Sequence, residues 1–272
     1  MNTICISIEC DVVQQEILIA KFSDLFDGFE QSENKLDAFV NELNWETSKS
    51  KAEKLLAEIN LKFATRLIPD QNWNETWEKN FEPLLIDHKI YVRATFHPHQ
   101  RDAEIEIIIN PKMSFGTGHH ATTAMMMQLM LDINFMDKSV LDFGSGTGIL
   151  SILASKQNAA QIISIDHEEW AYKNMIENFE INHCSQCIPM QGSAELFEGN
   201  KFEIVLANIN LNILLQFMSE ISNAVSTSGT LLLSGIMPSD ENQILKAASE
   251  NQLLCKQKLI QENWMAMQFE KI

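Results

Sequence analysis

Three glycines spaced two apart, Gly144, Gly146 and Gly148, sit in the run VLDFGSGTGIL at 140–150, after the apolar segment SVLDF and before ILSILASK. A strand that ends in such a turn and restarts as a helix is where open α/β sheets bind ligands. Glycine suits the turn because a missing Cβ permits positive φ and lets a ligand approach the backbone. Gly144 and Gly146 are expected to make that approach, and Gly148 to permit tight helix packing. The next apolar segment, IISI, ends at Asp166, 22 residues after Gly144, where a carboxylate can accept both hydroxyls of a ribose. Asp142 is placed to orient the loop or to meet an ammonium group of the ligand. Either aspartate could be an ordinary strand-end turn residue; it is their combination with the glycines that points to a nucleoside cofactor. The spacing is GxGxG where a dinucleotide site has GxGxxG, and no Gly-Lys-Ser or Gly-Lys-Thr ending follows, so the P-loop class is excluded.

The elements that must position these residues follow from periodicity. Strands are read at SVLDF, IISID, QCIPM, FEIVLAN and TLLLSG, separated by helices at HATTAMMMQLMLDI, ILSILASKQ, EWAYKNMIENFEI and LNILLQFMSEISNAV. Such alternation implies a parallel sheet covered on both faces. The methionine-rich AMMMQLM is expected to be adaptable core packing. The chain finishes with a helix, SDENQILKAASE, and two strands, LLCKQKLIQ and WMAMQFEKI, joined by a short polar turn, so these must pair antiparallel. That finish favours a methyltransferase over a dehydrogenase, whose second half repeats the parallel pattern, and S-adenosylmethionine over a nicotinamide as the cofactor.

Residues 1–68 read β-α-β-β-α-β, the split βαβ order of a small ferredoxin-like domain. Pro69 and the polar stretch QNWNETWEKNFEP break the periodicity, which places a linker at 69–83 and a second domain at 84–272. Trp73 and Trp77 stand one helical turn apart and are expected to pack that linker onto a domain. HKIYVRATF and EIEIIIN are read as strands leading into the second domain.

Forty-five per cent hydrophobic residues in 272 can supply a sizeable core. No apolar run approaches the roughly 20 residues of a membrane span, and the first residues lack the basic-then-apolar order of a secretory signal, so a cytoplasmic protein is expected. The five cysteines are expected to be free thiols; Cys184 and Cys187 form a CxxC beside His183, with no second pair to complete a metal site. A net charge of −17 argues against a protein that holds a nucleic-acid backbone and suits a basic protein partner. A monomer is expected.

Taken in order, NWNETWEKNF, INPKMSFGTGHHATT, VLDFGSGTGILSILAS, IISIDHEEWAYKNMIEN and EIVLANIN with LLLSGI resemble the PrmA family, the methyltransferases of ribosomal protein L11, over nearly the whole chain. The FGTGHHATT segment just before a glycine loop is the most specific. The resemblance implies a Rossmann-like catalytic domain with an antiparallel terminal hairpin, preceded by a ferredoxin-like domain that recognises the substrate. It implies cofactor contacts from Thr123, Gly144, Asp166 and Asn208, and a loop of Phe115, Gly116, Thr117 and Gly118 that closes over the cofactor. It further implies methyl transfer from S-adenosylmethionine, with S-adenosylhomocysteine as product, to lysine and N-terminal amines of ribosomal protein L11. Two positions depart from the usual pattern: Ser114 stands where alanine is common, and Asn210 stands where leucine is usual, beside the expected amine pocket.

Methyl transfer is an in-line displacement that chiefly requires positioning and exclusion of water. Asn208 follows the apolar strand EIVLA and is expected to project from the sheet edge, where its side chain could orient the amine; it could equally cap the following helix, a role for which Asn210 competes. His119 and His120, at a helix start, are read as caps or loop contacts before bases. Two other functions fit the same fold: methylation of another amine, and a ribosome-associated binding module without turnover. A glutamine methyltransferase is disfavoured because Asn208-Ile209-Asn210-Leu211 replaces the Asn-Pro-Pro-Tyr run of those enzymes.

Overall fold

Alternate residues of β1 (Thr3–Glu9), namely Ile4, Ile6 and Ile8, are buried on one face of a small sheet. There they meet Leu18 and Phe22 of α1 (Val12–Phe22) and Ala52 and Leu56 of α2 (Trp45–Glu58) in a single apolar cluster. The chain is a computed structural model that describes residues 2–23, 25–59, 61–68, 81–100, 102–110, 112 and 114–272. With β2 (Gly28–Ser32), β3 (Lys35–Asn41) and β4 (Phe63–Ile68), this first unit forms a sheet in the order β2-β3-β1-β4, every pair antiparallel. Asp11 starts α1 with a reciprocal capping box: its carboxylate accepts from the Gln14 N–H, and Gln14 accepts from the Asp11 N–H. A 3-10 turn at Glu42–Asn44 leads directly into α2 at Trp45.

The chain divides into Met1–Trp77 and Glu78–Ile272. Most of the stretch expected to be a linker, including Trp73 and Trp77, lies outside the described residues. The second unit opens with three strands, β5 (Leu84–Ile86), β6 (Ile90–Arg93) and β7 (Ile105–Ile108), in a sheet of their own. Strand β5, too short to show a period, was not legible; it pairs with β6 through a tight turn in which Asp87 and His88 both take positive φ.

The main sheet runs β10-β9-β8-β11-β12-β14-β13, built from β8 (Ser139–Phe143), β9 (Gln161–Asp166), β10 (Cys187–Gln191), β11 (Phe202–Asn208), β12 (Val225–Ile236), β13 (Leu253–Gln261) and β14 (Trp264–Lys271). The first five positions in that order pair parallel; β14 is antiparallel to both neighbours, the expected finish. The intervening helices are α3 (Ala121–Leu131), α4 (Ile149–Lys156), α5 (Glu169–Ile181), α6 (Leu211–Gln216), α7 (Met218–Ala224) and α8 (Glu241–Glu250). Neighbouring residues of β12 enter opposite cores: Leu232 joins Met126 and Leu153 on one face, while Leu231 and Leu233 join Ile221 and Ile244 on the other. All four methionines of AMMMQLM are buried in the first of these cores. The helix read at 211–225 is two helices, because the backbone bends at Phe217, which sets its ring edge-on to Phe143 at 5.7 Å. All five cysteines carry free thiols, with Cys184 and Cys187 buried beside α5.

Candidate active site

The strand order reverses at β8: the chain steps outward through β9 and β10, then returns to β11 on the other side. Ligands bind at such a switch, outside the carboxyl ends of the strands. A cavity of about 600 Å³ opens there, walled by strand-end residues Phe143, Asp166, Asn208 and Gly235 and by Thr122 and Thr123 from the start of α3. A cavity of this size holds a ligand as large as a nucleoside amino acid.

The glycine loop forms the floor. Gly144 and Ser145 donate from their N–H groups to the Ile165 carbonyl at 2.8 and 3.0 Å, so the loop is sewn to the end of β9. Gly146 takes φ 57° and donates to Asp166 Oδ2 at 2.8 Å, and a Cβ at this position would strike the Phe115 carbonyl. The close backbone approach required of Gly146 is therefore to the FGTG segment, and Gly148 faces Phe179 and Met175 of α5 in the tight packing expected of it. The FGTG segment is bound down in turn: the Thr147 N–H donates to the Phe115 carbonyl at 3.0 Å and the Thr147 hydroxyl to the Gly116 carbonyl. Asp166 is buried and accepts from Gly146 and, through Oδ1 at 3.1 Å, from the Glu168 N–H. One hydrogen bond to each oxygen leaves lone pairs for a diol.

Asn208 and Asn210 divide the two roles that the sequence left open. Asn210 is the N-cap of α6, its side chain accepting from the Ile213 N–H at 3.1 Å. That releases Asn208, whose Nδ2 donates to Thr123 Oγ1 at 3.3 Å. Its Oδ1 is enclosed and has no hydrogen-bond partner among the described residues. A buried acceptor without a donor costs about 1–3 kcal/mol, so this atom is held ready for a donor that a ligand brings.

His120 is a cap. Its Nδ1 accepts from the Thr122 N–H at 3.3 Å at the start of α3, while its ring lies edge-on to Phe115 and to Trp264 at 5.2 and 4.9 Å. His119 turns the other way, pairing through Nε2 with the Glu82 carbonyl at 2.8 Å and standing edge-on to Phe81.

Of the residues expected at the site, Phe115, Gly116, Thr123, Gly144, Gly146, Asp166 and Asn208 line the cavity, whereas Thr117 and Asp142 do not. The Thr117 hydroxyl is directed to His119 Nδ1 at 3.3 Å. Strand alternation turns Asp142 to the face of β8 beneath α4, where Oδ2 accepts from the Ser151 hydroxyl at 2.6 Å. Burial pushes its carboxyl up to about 7, against the lowering effect of the Ser151 hydrogen bonds and with some help from the charge of Asp166. A folded-state value above the unfolded one means that the folded protein holds the proton longer, so stability falls as pH rises from about 4 to about 7. The stability of Asp142→Asn relative to wild type should therefore rise across that window, by on the order of a few kcal/mol, and level off outside it. A pH-independent difference between the two melting curves would show that folding leaves the Asp142 pKa unshifted.

Trp264, Trp170, Ile209, Phe217 and Gly235 also line the cavity. Their periodicity marks them as core or turn residues, and only the fold delivers them to the site.

The family model described as ribosomal protein L11 methyltransferase (PrmA) matches residues 6–272. A ribosomal protein L11 methyltransferase of Porphyromonas gingivalis is 38% identical over 262 residues, covering 93% of this chain and 90% of that one. One from Bacteroides thetaiotaomicron is 36% identical over 266 residues, 96% of this chain and 95% of that one. Among solved structures, a ribosomal protein L11 methylase of Lactobacillus delbrueckii subsp. bulgaricus superposes with a TM-score of 0.66 at 22% identity, covering 71% of this chain and all of the other, a likeness of fold. With its match spanning both units and its Rossmann-like sheet in place, the chain belongs to the ribosomal protein L11 methyltransferase (PrmA) family.

Proposed function

We propose that this protein transfers methyl groups from S-adenosylmethionine to lysine and N-terminal amines of ribosomal protein L11. The single observation that carries the reading is the unpartnered Oδ1 of Asn208, an enclosed acceptor on the wall of a nucleoside-sized cavity. The residues present fit the cofactor. Asp166 has free lone pairs for both ribose hydroxyls, the floor at Gly144 and Gly146 carries no side chain, and Phe115 is a large, half-exposed apolar cap above it. Bound there, S-adenosylmethionine supplies a methyl group activated on a sulfonium.

The remaining work falls to the chain. Asn208, fixed by Thr123, accepts an N–H from the amine through Oδ1 and so directs the nitrogen lone pair along the line of transfer. A lysine with an ordinary pKa of about 10.4 must first lose a proton. The apolar wall of Phe115, Ile209, Phe217 and Trp264 disfavours the charged ammonium and excludes water. Asp142 holds the loop from behind through Ser151 and Ser145, with Ser145 donating to the Asp142 carbonyl at 2.7 Å. His120 is spent on its cap, so the amine proton leaves to solvent.

The first unit is assigned to recognition of the protein substrate, as a ferredoxin-like domain over 1–68 joined by a linker at 69–83 to the catalytic domain at 84–272. Its β-α-β-β-α-β order and antiparallel β2-β3-β1-β4 sheet, with both helices packed on one face, support that reading. The protein acts in the cytoplasm, where a ribosomal substrate is made. Incubation with radiolabelled S-adenosylmethionine and purified ribosomal protein L11 should label that protein; transfer to a different lysate protein with none to L11 would overturn the assignment.

A further inference from the structure

Three asparagines spaced four residues apart, Asn174 and Asn178 on α5 and Asn182 at its C-cap, are all buried. Asparagine is a poor choice for a buried helix face unless each amide finds partners, because an unpaired buried amide is costly. Here the partners are main-chain groups of another segment. Asn182 accepts from the Ile108 N–H at 2.9 Å and donates to the Ile108 carbonyl at 2.6 Å. One turn earlier, Asn178 accepts from the Asn110 N–H at 2.8 Å, and Asn174 donates to the Asn110 carbonyl at 3.3 Å. The side chains of α5 thus read the backbone at the end of β7 as a neighbouring strand would, over the residues that lead into the FGTG segment.

Asn178 does one thing more. Its Nδ2 donates to the Thr147 carbonyl at 2.9 Å, while Asn174 Oδ1 accepts from the same group at 3.2 Å and fixes its orientation. Thr147 belongs to the glycine loop, and its N–H and hydroxyl hold the Phe115 and Gly116 carbonyls. A closed circuit results: Asn110 to Asn178, Asn178 to Thr147, Thr147 to Phe115 and Gly116, and back along the chain to Asn110. Asn182 makes the same kind of backbone contacts at Ile108 and meets this circuit only at the main-chain carbonyl of Asn178, to which its Nδ2 donates at 2.8 Å, not at the Asn178 side chain that bridges to Thr147.

We infer that Asn178 is a positioning residue for methyl transfer: by joining the Asn110 N–H to the Thr147 carbonyl, it sets the FGTG segment at the height above the glycine loop that cofactor binding requires. It touches neither cofactor nor substrate. The inference rests on the reading of the cavity as the S-adenosylmethionine site.

The test compares two isosteric changes in the full-length protein. Asn178→Asp keeps an acceptor for the Asn110 N–H but sets a carboxylate oxygen against the Thr147 carbonyl. Asn182→Asp keeps the acceptor for the Ile108 N–H and loses the donor to the Ile108 and Asn178 carbonyls, leaving the Asn178 side chain in place. Binding of S-adenosylhomocysteine is measured by calorimetry, KM for S-adenosylmethionine and kcat by methyl transfer, and stability by thermal melting. Asn178→Asp should weaken S-adenosylhomocysteine binding and raise KM about 10-fold, the scale of one lost buried hydrogen bond, with kcat within about twofold at saturation. Asn182→Asp should melt at a similarly lowered temperature with cofactor affinity unchanged. Asn174→Ala, which removes the support of the Asn178 amide and the donor to the Asn110 carbonyl but leaves the Asn178 bridge itself, should give a smaller loss of affinity of about threefold, and it carries the test should Asn178→Asp fail to fold. Equal affinity losses in the Asn178 and Asn182 variants, or wild-type affinity in Asn174→Ala, would reduce the ladder to ordinary packing. A wild-type protein that does not bind S-adenosylhomocysteine would instead remove the cofactor reading itself, and the inference with it.

Discussion

Replacing Asn208 with alanine is expected to lower kcat for methyl transfer by about 100-fold or more, the scale seen when one preorganised polar group is deleted from a reacting centre. Affinity for S-adenosylhomocysteine should stay within a few-fold. The asymmetry follows from the geometry. Asn208 Nδ2 is already committed to Thr123 within the protein, and the side chain's enclosed, unpartnered atom is Oδ1. An acceptor left empty in the free protein and filled by an amine acts on the attacking group, so its loss falls on turnover. Asn208→Asp sharpens the point. A carboxylate there stabilises the ammonium form of the substrate, so the variant should be slow at neutral pH and recover as pH rises toward the ordinary lysine range, whereas Asn208→Ala stays slow throughout. Near-normal kcat in the alanine variant, measured with saturating cofactor and L11, would remove Asn208 from the reaction.

The cofactor side of this site was largely legible from residue types and spacing, and the reason is geometric. Gly144, Gly146 and Gly148 answer to backbone constraints that leave a direct mark on sequence, and Asp166 lies one βα unit downstream, where crossover lengths vary little. The same regularity made β8, β11 and α5 readable to the residue. Elements without a long period were not readable: β5 has three residues, and the bend at Phe217 interrupts an apolar run that looks continuous as a helix. The division of labour between Asn208 and Asn210 was posed by the sequence and resolved only by the fold, because either residue could cap α6 until the Asn210 side chain was seen to accept from the Ile213 N–H. Trp264 shows the limit from the other side. It reaches the cavity through a hairpin 98 residues beyond Asp166, and no local pattern encodes that return. The ladder of Asn174, Asn178 and Asn182 did carry a signal, one polar amide per helical turn on a single face, yet the ordinary reading of such a face is solvent. What overturns that reading is the strand end at Ile108–Asn110 lying against it.

Asp166→Ala should weaken binding of S-adenosylhomocysteine by about 100-fold or more, since each hydrogen bond to a charged group contributes roughly 1.5–3 kcal/mol and a ribose offers two. In contrast with Asn208→Ala, kcat should largely return when cofactor is made saturating, because Asp166 stands at the end of β9, on the opposite side of β8 from Asn208 at the end of β11. Part of the loss comes from the protein itself: the carboxylate also accepts the Gly146 and Glu168 N–H groups at 2.8 and 3.1 Å, so its removal loosens the glycine loop and lowers the melting temperature. A ligand that lacks a ribose hydroxyl separates the two contributions. Wild-type protein should bind S-adenosylhomocysteine about 10-fold more tightly than its 2′-deoxy analogue, one charged hydrogen bond apart, and Asp166→Ala should bind the two alike. Loosening of the loop weakens both ligands equally and leaves their ratio unchanged. A variant that still prefers the intact ribose would therefore show that Asp166 holds the loop and that another group reads the diol.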